Sequence, residues 1–131
     1  MSVFQNKSDL FYAAAELLHE KNYYPSVAHD AYYSCYQLLK NIWLNSLNKT
    51  ETDLVVIKKT TGKGSHEILI SEIESKIKCV NRSDFVVFNE KIGQLKRLRV
   101  ESDYEEKIHN FDSSRTAIAL SNDIRCILKK Y

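Results

Sequence analysis

The sequence predicts an all-α fold, an up-and-down four-helix bundle with an additional C-terminal helix, and three observations carry that expectation. After Pro25 no Gly or Pro occurs until Gly62, so one long helix can run from Pro25 to about Leu47. Such a helix spans roughly 35 Å, about the length of a small bundle. Phe85, Phe88, Ile92 and Leu95 recur at alternating intervals of three and four, the spacing of one helical face. The chain has 131 residues and 44% hydrophobic content, enough for one domain over residues 1–131 with a core of its own.

Taken in order, Ser8 or Asp9 can cap a first helix that carries Leu10, Ala13, Ala14, Leu17 and Leu18 on one side and ends near Lys21 and Asn22. Tyr23 and Tyr24 then form a short connection into the long helix, which predicts an antiparallel hairpin. On the long helix Tyr32 and Tyr36 share a face, and Ala31, Cys35, Leu38, Leu39 and Ile42 continue an apolar stripe. Residues 48–64 hold one β-branched cluster, Leu54 to Ile57, which reads as a short extended segment or a lid over the bundle. The flanking Thr60 to Ser65 reads as a mobile loop. Gly62, Lys63 and Gly64 lack the spacing of a phosphate-cradling loop. Ser65 is a candidate N-cap for a third helix with Ile68, Ile73 and Ile77 inward. A turn at Val80 to Asp84 leads into a fourth helix, and Glu101 to Glu106 breaks its pattern. Asp112 or Ser113 can cap a last helix with Ala117, Leu120, Ile124, Ile127 and Leu128 inward.

Bulk composition excludes several classes. A net charge of +2 gives no general attraction for a polyanion, so nucleic-acid binding requires a local basic site. Cys35, Cys79 and Cys126 lack paired metal-ligand spacing and read as buried thiols, and no cofactor or metal site is expected. The N-terminal residues show no apolar signal core and no window reaches membrane-spanning length, which points to a cytoplasmic location with no membrane partner.

Extending the stripe of the fourth helix by one turn places Arg99 on the inward row, whereas Arg97 points outward. A cation there is costly without a partner, unless it lies at the mouth of a cleft, so Arg99 is the first candidate functional residue.

Four stretches in order resemble the HEPN domain family of small helical bundles. They are Ala13 to Leu18, Ala31 to Tyr36, Ser65-His66, and Leu98 to Tyr104. The resemblance implies a helical homodimer. Many members are metal-independent ribonucleases whose motif is an arginine, four to six intervening residues, and a histidine. Arg99 matches the arginine, but Tyr104 stands five positions later and the nearest downstream histidine is His109, so the chain is similar to an Asp-Tyr-bearing subgroup through Asp103 and Tyr104. It also carries Asp30, preceded by His29, where the family often has a basic residue, and Asp30 could pair with Arg99.

RNA cleavage without metal needs one group to activate the ribose hydroxyl and another to stabilise the leaving oxygen. His66 is the histidine best placed to supply the first, because His19 lies at a helix end and His29 faces away from the main stripe. Taken alone, His66 reads as a first-turn surface residue. Tyr104 would serve as a weak acid or an orienting hydroxyl. The resemblance therefore implies either an accessory or regulatory subunit of a toxin–antitoxin or phage-defence system, beside a nucleotidyltransferase-like partner and linked to RNA or a nucleotide, or a ribonuclease toxin using Arg99 with His66 or Tyr104.

Overall fold

The computed structural model describes residues 2–105 and 108–131. Among the described residues six α-helices form the fold: α1 Val3–Glu20, α2 Tyr24–Asn41, α3 Glu51–Thr61, α4 Ser65–Val80, α5 Arg82–Tyr104 and α6 Phe111–Leu128. No strand occurs among the described residues, and no described helix is long and apolar enough to cross a membrane.

α1 starts earlier than expected, because Ser2 and Gln5 form a reciprocal capping box, and its buried row is Ser8 and Ala15, whereas Leu10, Ala13 and Leu17 of the expected stripe are exposed. Ser8, expected as a cap, is instead buried and donates a hydrogen bond to the Ser34 carbonyl at 2.6 Å. Asn22 adopts a left-handed backbone, φ 66°, that turns the chain into α2. α2 is central, packing against α1, α4, α5 and α6, and it buries Val27, Ala28, Ala31, Tyr32, Cys35, Leu38 and Leu39. Its last turn widens into a π-helical stretch, Ile42–Ser46, where the Leu47 N–H reaches the Ile42 carbonyl at 2.9 Å. Trp43 is fully buried in this stretch, and its ring N–H donates to the Thr50 carbonyl at 2.9 Å.

The β-branched cluster is helical, which corrects the extended reading. Thr50 and Asp53 form a second capping box, Gly62 closes α3 at φ 74°, and between them Leu54 is buried while Ile57 packs on the core. The second residue expected in the loop, Thr61, is the last of the helix, so the connection to α4 is Gly62 to Gly64 alone. Gly64, not Ser65, is the N-cap of α4. α4 buries Ile68, Leu69, Ile73 and Ile77, and the expected turn at Val80 to Asp84 reduces to Asn81, which caps α5 through the Asp84 N–H. The regular stripe of α5 is buried at Phe88, Ile92, Leu95 and Arg99, whereas Phe85 at its start is only partly buried. The helix runs through the expected break as far as Tyr104, and Glu106 lies outside the described residues. Asn110, rather than Asp112 or Ser113, caps α6.

Cys35 is buried as expected, but Cys79 and Cys126 are exposed, because each lies on the solvent side of its helix beside an inward Ile77 or Ile127. Burial pushes the Cys35 thiol up to about 11, so it stays protonated and unreactive.

Gly93 sits in the middle of α5, and an added Cβ there would meet no atom within 4 Å. Glycine in a helix interior costs about 1 kcal/mol relative to alanine, mostly as unfolded-chain entropy. Gly93→Ala is therefore expected to raise stability by about 0.5–1 kcal/mol in urea denaturation, and a loss of stability would show that the open space is needed by the fold.

Candidate functional site

The site is built where α2, α4 and the last turns of α5 meet. Arg99 lies on the buried row of α5, and its guanidinium carbon stands over three rings: Tyr32 at 5.2 Å, Tyr33 at 5.6 Å and Tyr104 at 5.8 Å from the centroids. Its ion pair with Asp103, one turn on, is long at 3.8 Å. Asp103 is held more closely by His29, whose Nδ1 lies 2.9 Å from the same carboxylate oxygen. The buried Nε of Arg99 has no partner among the described residues. A buried guanidinium with an idle N–H is unfavourable unless a ligand completes it. Ser102 donates a hydrogen bond to the Pro25 carbonyl, which ties the end of α5 to the start of α2 and so fixes this mouth of the bundle.

His66 belongs to the same cluster, which corrects its reading as a surface residue. Its ring stacks on Tyr36 at 4.2 Å, lies parallel to Tyr32 at 5.6 Å and meets the edge of Tyr33 at 5.6 Å. Its Nδ1 is 2.8 Å from the Tyr32 hydroxyl. Burial, and then the nearby cations Arg99 and Lys96, push the imidazole down to about 4. It is therefore neutral at physiological pH, and Arg99 supplies the positive charge of the site.

The four residues singled out by sequence thus have distinct places. Arg99 and His66 share one aromatic cluster, Asp103 pairs with Arg99, and Tyr104 covers its outer side as an exposed ring. Asp30 does not pair with Arg99, because Asp103 on the same helix as Arg99 occupies that role. Burial raises the Asp30 carboxyl; His29 opposes this and Asp103 adds to it. His29 lies off the core stripe, as expected, yet it faces α5 and holds Asp103. His19 hydrogen-bonds Ser114 at 2.6 Å, far from this cluster in sequence and on other elements. His109 is buried just before the Asn110 cap of α6, with its Nδ1 unpartnered among the described residues.

A second buried cation, Arg125, was not among the residues marked by the sequence. Its Nε donates to the Ser8 hydroxyl at 3.2 Å, its Nη2 to Asp9 at 2.5 Å, and its guanidinium lies 4.5 Å from the Tyr12 ring centroid. Nearby, Ser121 donates to the Ala31 carbonyl at 2.8 Å and lies 2.8 Å from the Ser34 hydroxyl, so polar groups pin α1, α2 and α6 together. The signal was present, because Arg125 stands four residues after Ser121 and eight after the inward Ala117. No group of His, Cys, Asp and Glu suited to a metal ion occurs among the described residues.

The depressed His66 makes stability depend on pH. The unfolded chain takes up this proton near 6.5 and the folded chain only near 4, so the folded state is progressively penalised as pH falls through that window. At about 1.4 kcal/mol per pH unit the penalty would reach about 3 kcal/mol, and solvent screening of a half-exposed ring reduces it to on the order of 1–2 kcal/mol. The raised carboxyls of Asp30 and Glu74 act in the opposite sense, so the His66 part is isolated as a difference. Urea denaturation at pH 7 and pH 4.5 is expected to show a smaller acid loss for His66→Gln than for the wild type. Equal losses would refute the assignment.

Compared with protein-family models, with curated proteins and with solved structures, the chain gives no match in any of the three.

Proposed function

We propose that this is a HEPN-like protein whose Arg99 cluster takes a phosphate group of RNA or of a nucleotide, acting as an accessory or regulatory subunit in a cytoplasmic toxin–antitoxin or phage-defence system. The observation that carries the reading is the buried Arg99, whose pair with Asp103 is long and whose Nε is idle, framed by aromatic rings at the end of a bundle. Arginine presents N–H groups in a fork that matches phosphate, and rings beside it suit a base. A nucleotidyltransferase-like protein is the candidate partner.

A homodimer is part of this proposal. The aromatic residues of α2 are turned largely inward, and α1 carries a row of exposed apolar residues, Val3, Leu10 and Leu17, seven residues apart. A protein that sediments as a monomer at micromolar concentration would count against the dimer.

The second reading is a metal-independent ribonuclease using Arg99 with His66 or Tyr104, and it is favoured by the packing of His66 beside the same tyrosines as Arg99. One experiment tests both. Labelled single-stranded RNA is incubated with wild type and Arg99→Ala without metal, and binding and cleavage are followed together. Binding without cleavage supports the accessory role, Arg99-dependent cleavage supports the nuclease, and the absence of RNA and nucleotide binding would sink both.

A further inference from the structure

We infer that the N-terminus of α4 and the His66 ring form, with Arg99, a subsite for a phosphoryl group in which His66 is a hydrogen-bond donor whose tautomer is set by Tyr32. This rests on the reading of Arg99 as a phosphate-binding residue, and it assigns His66 a role opposite to that of a general base.

Tyr32 is fully buried, and among the described residues its hydroxyl has one hydrogen-bond partner, Nδ1 of His66. A buried phenol must donate its proton to avoid leaving it unsatisfied, and the acceptor must then be the bare nitrogen of a neutral imidazole. The remaining ring proton sits on Nε2. The depressed basicity of His66 agrees with a neutral ring. Stacking on Tyr36 and Tyr32, with the edge of Tyr33 as a third wall, holds the ring plane and so aims the Nε2–H. Tyr32 is accordingly the positioning residue.

The backbone supplies further donors. Side-chain oxygens of Ser2, Thr50, Asn81 and Asn110 cap α1, α3, α5 and α6, but Gly64 has none to offer α4. No side-chain cap therefore occupies the first N–H groups of Ser65, His66 and Glu67, the end of a helix that favours an anion. Independently, the buried Nε of Arg99 is idle, and the Arg99 guanidinium and the His66 ring both contact Tyr32 and Tyr33. Glu67, exposed in the first turn, is the one acid of that turn and opposes the anion from the solvent side. Ring N–H, helix amides and guanidinium together match the several oxygens of a phosphoryl group.

Nitrogen-15 NMR of the full chain, labelled at histidine and backbone, reads the tautomer directly and then follows titration with inorganic phosphate, adenosine monophosphate and a short RNA. Wild type is expected to show the Nε2–H form of His66, and Tyr32→Phe a mixture of tautomers. Phosphate is expected to shift the amides of Ser65, His66 and Glu67. His66→Gln, which keeps an N–H donor, should bind within about threefold of wild type, whereas His66→Phe should weaken binding about tenfold, the loss of one charge-assisted hydrogen bond. Tighter binding of RNA would assign the phosphoryl group to a diester chain, and tighter binding of the mononucleotide to a terminal phosphate; either supports the subsite. An Nδ1–H tautomer, or His66→Gln as weak as His66→Phe, would overturn it. So would RNA binding that depends on Arg99 while the α4 amides stay unmoved, which leaves the broader reading intact. Phosphate shifts at α4 with no RNA or nucleotide binding tighter than phosphate would have the reverse meaning.

Discussion

Arg99→Ala is expected to reduce RNA or nucleotide binding by about tenfold to a hundredfold while changing stability by about 1 kcal/mol or less. The loss of binding follows from removing charged donors to phosphate, worth about 1.5–3 kcal/mol, where each 1.4 kcal/mol is about tenfold. The small effect on stability follows from the geometry. Asp103 keeps its 2.9 Å contact with His29 when the arginine is gone, so no buried acid is stranded. The ring contacts that are lost, about 0.5–1 kcal/mol each, are offset by no longer burying an unsatisfied Nε. Isothermal titration beside urea denaturation separates the two quantities. A stability loss of about 3 kcal/mol or more with unchanged binding would make Arg99 a structural cation, as expected for a broken buried pair.

Arg125→Ala is expected to have the larger effect on folding, about 3 kcal/mol, or about 10 °C in the melting temperature for a chain of this size. Arg125 is nearly buried, its pair with Asp9 is short, and it also satisfies Ser8 and lies on Tyr12, so one side chain joins α6 to α1. Its removal leaves a cavity between those helices and frees three groups that it orders. A double-mutant cycle with Asp9→Asn measures the ion-pair part, which half-exposure of Asp9 should hold near 1 kcal/mol, so packing and the Ser8 contact carry the rest. A loss below about 1 kcal/mol for Arg125→Ala would contradict this account. Phosphate binding at the other cluster should be unaffected, which makes this variant a control for Arg99→Ala.

The sequence by itself determined what is encoded within a few turns of one helix. The stripe Phe88, Ile92 and Leu95 continues to Arg99, and Ala117, Leu120 and Ile124 line α6, because a period of 3.6 places residues three and four apart on one face whatever the partner helix is. Helix limits were encoded locally, by a side-chain cap three residues from its target, but the apolar stripes pointed instead to Ser8 or Asp9 and to Asp112 or Ser113, where the caps are Ser2 and Asn110. The box of Thr50 and Asp53 with Gly62 beyond it marks α3, and the β-branched content of Leu54 to Ile57 concealed it. Tertiary structure alone decided which side chains meet around Arg99. Tyr32 and His66 are 34 residues apart and His29 and Asp103 are 74 apart, and no local rule sets such pairs. Whether His66 faces solvent or joins three tyrosines depends on how α4 is laid across α2, and whether Ser8 caps a helix or lies beneath Arg125 depends on α1 starting at Val3. Periodicity says which face of a helix is buried, but the neighbour on that face comes from packing, and it is the neighbour that sets charge, hydrogen bonding and proton affinity.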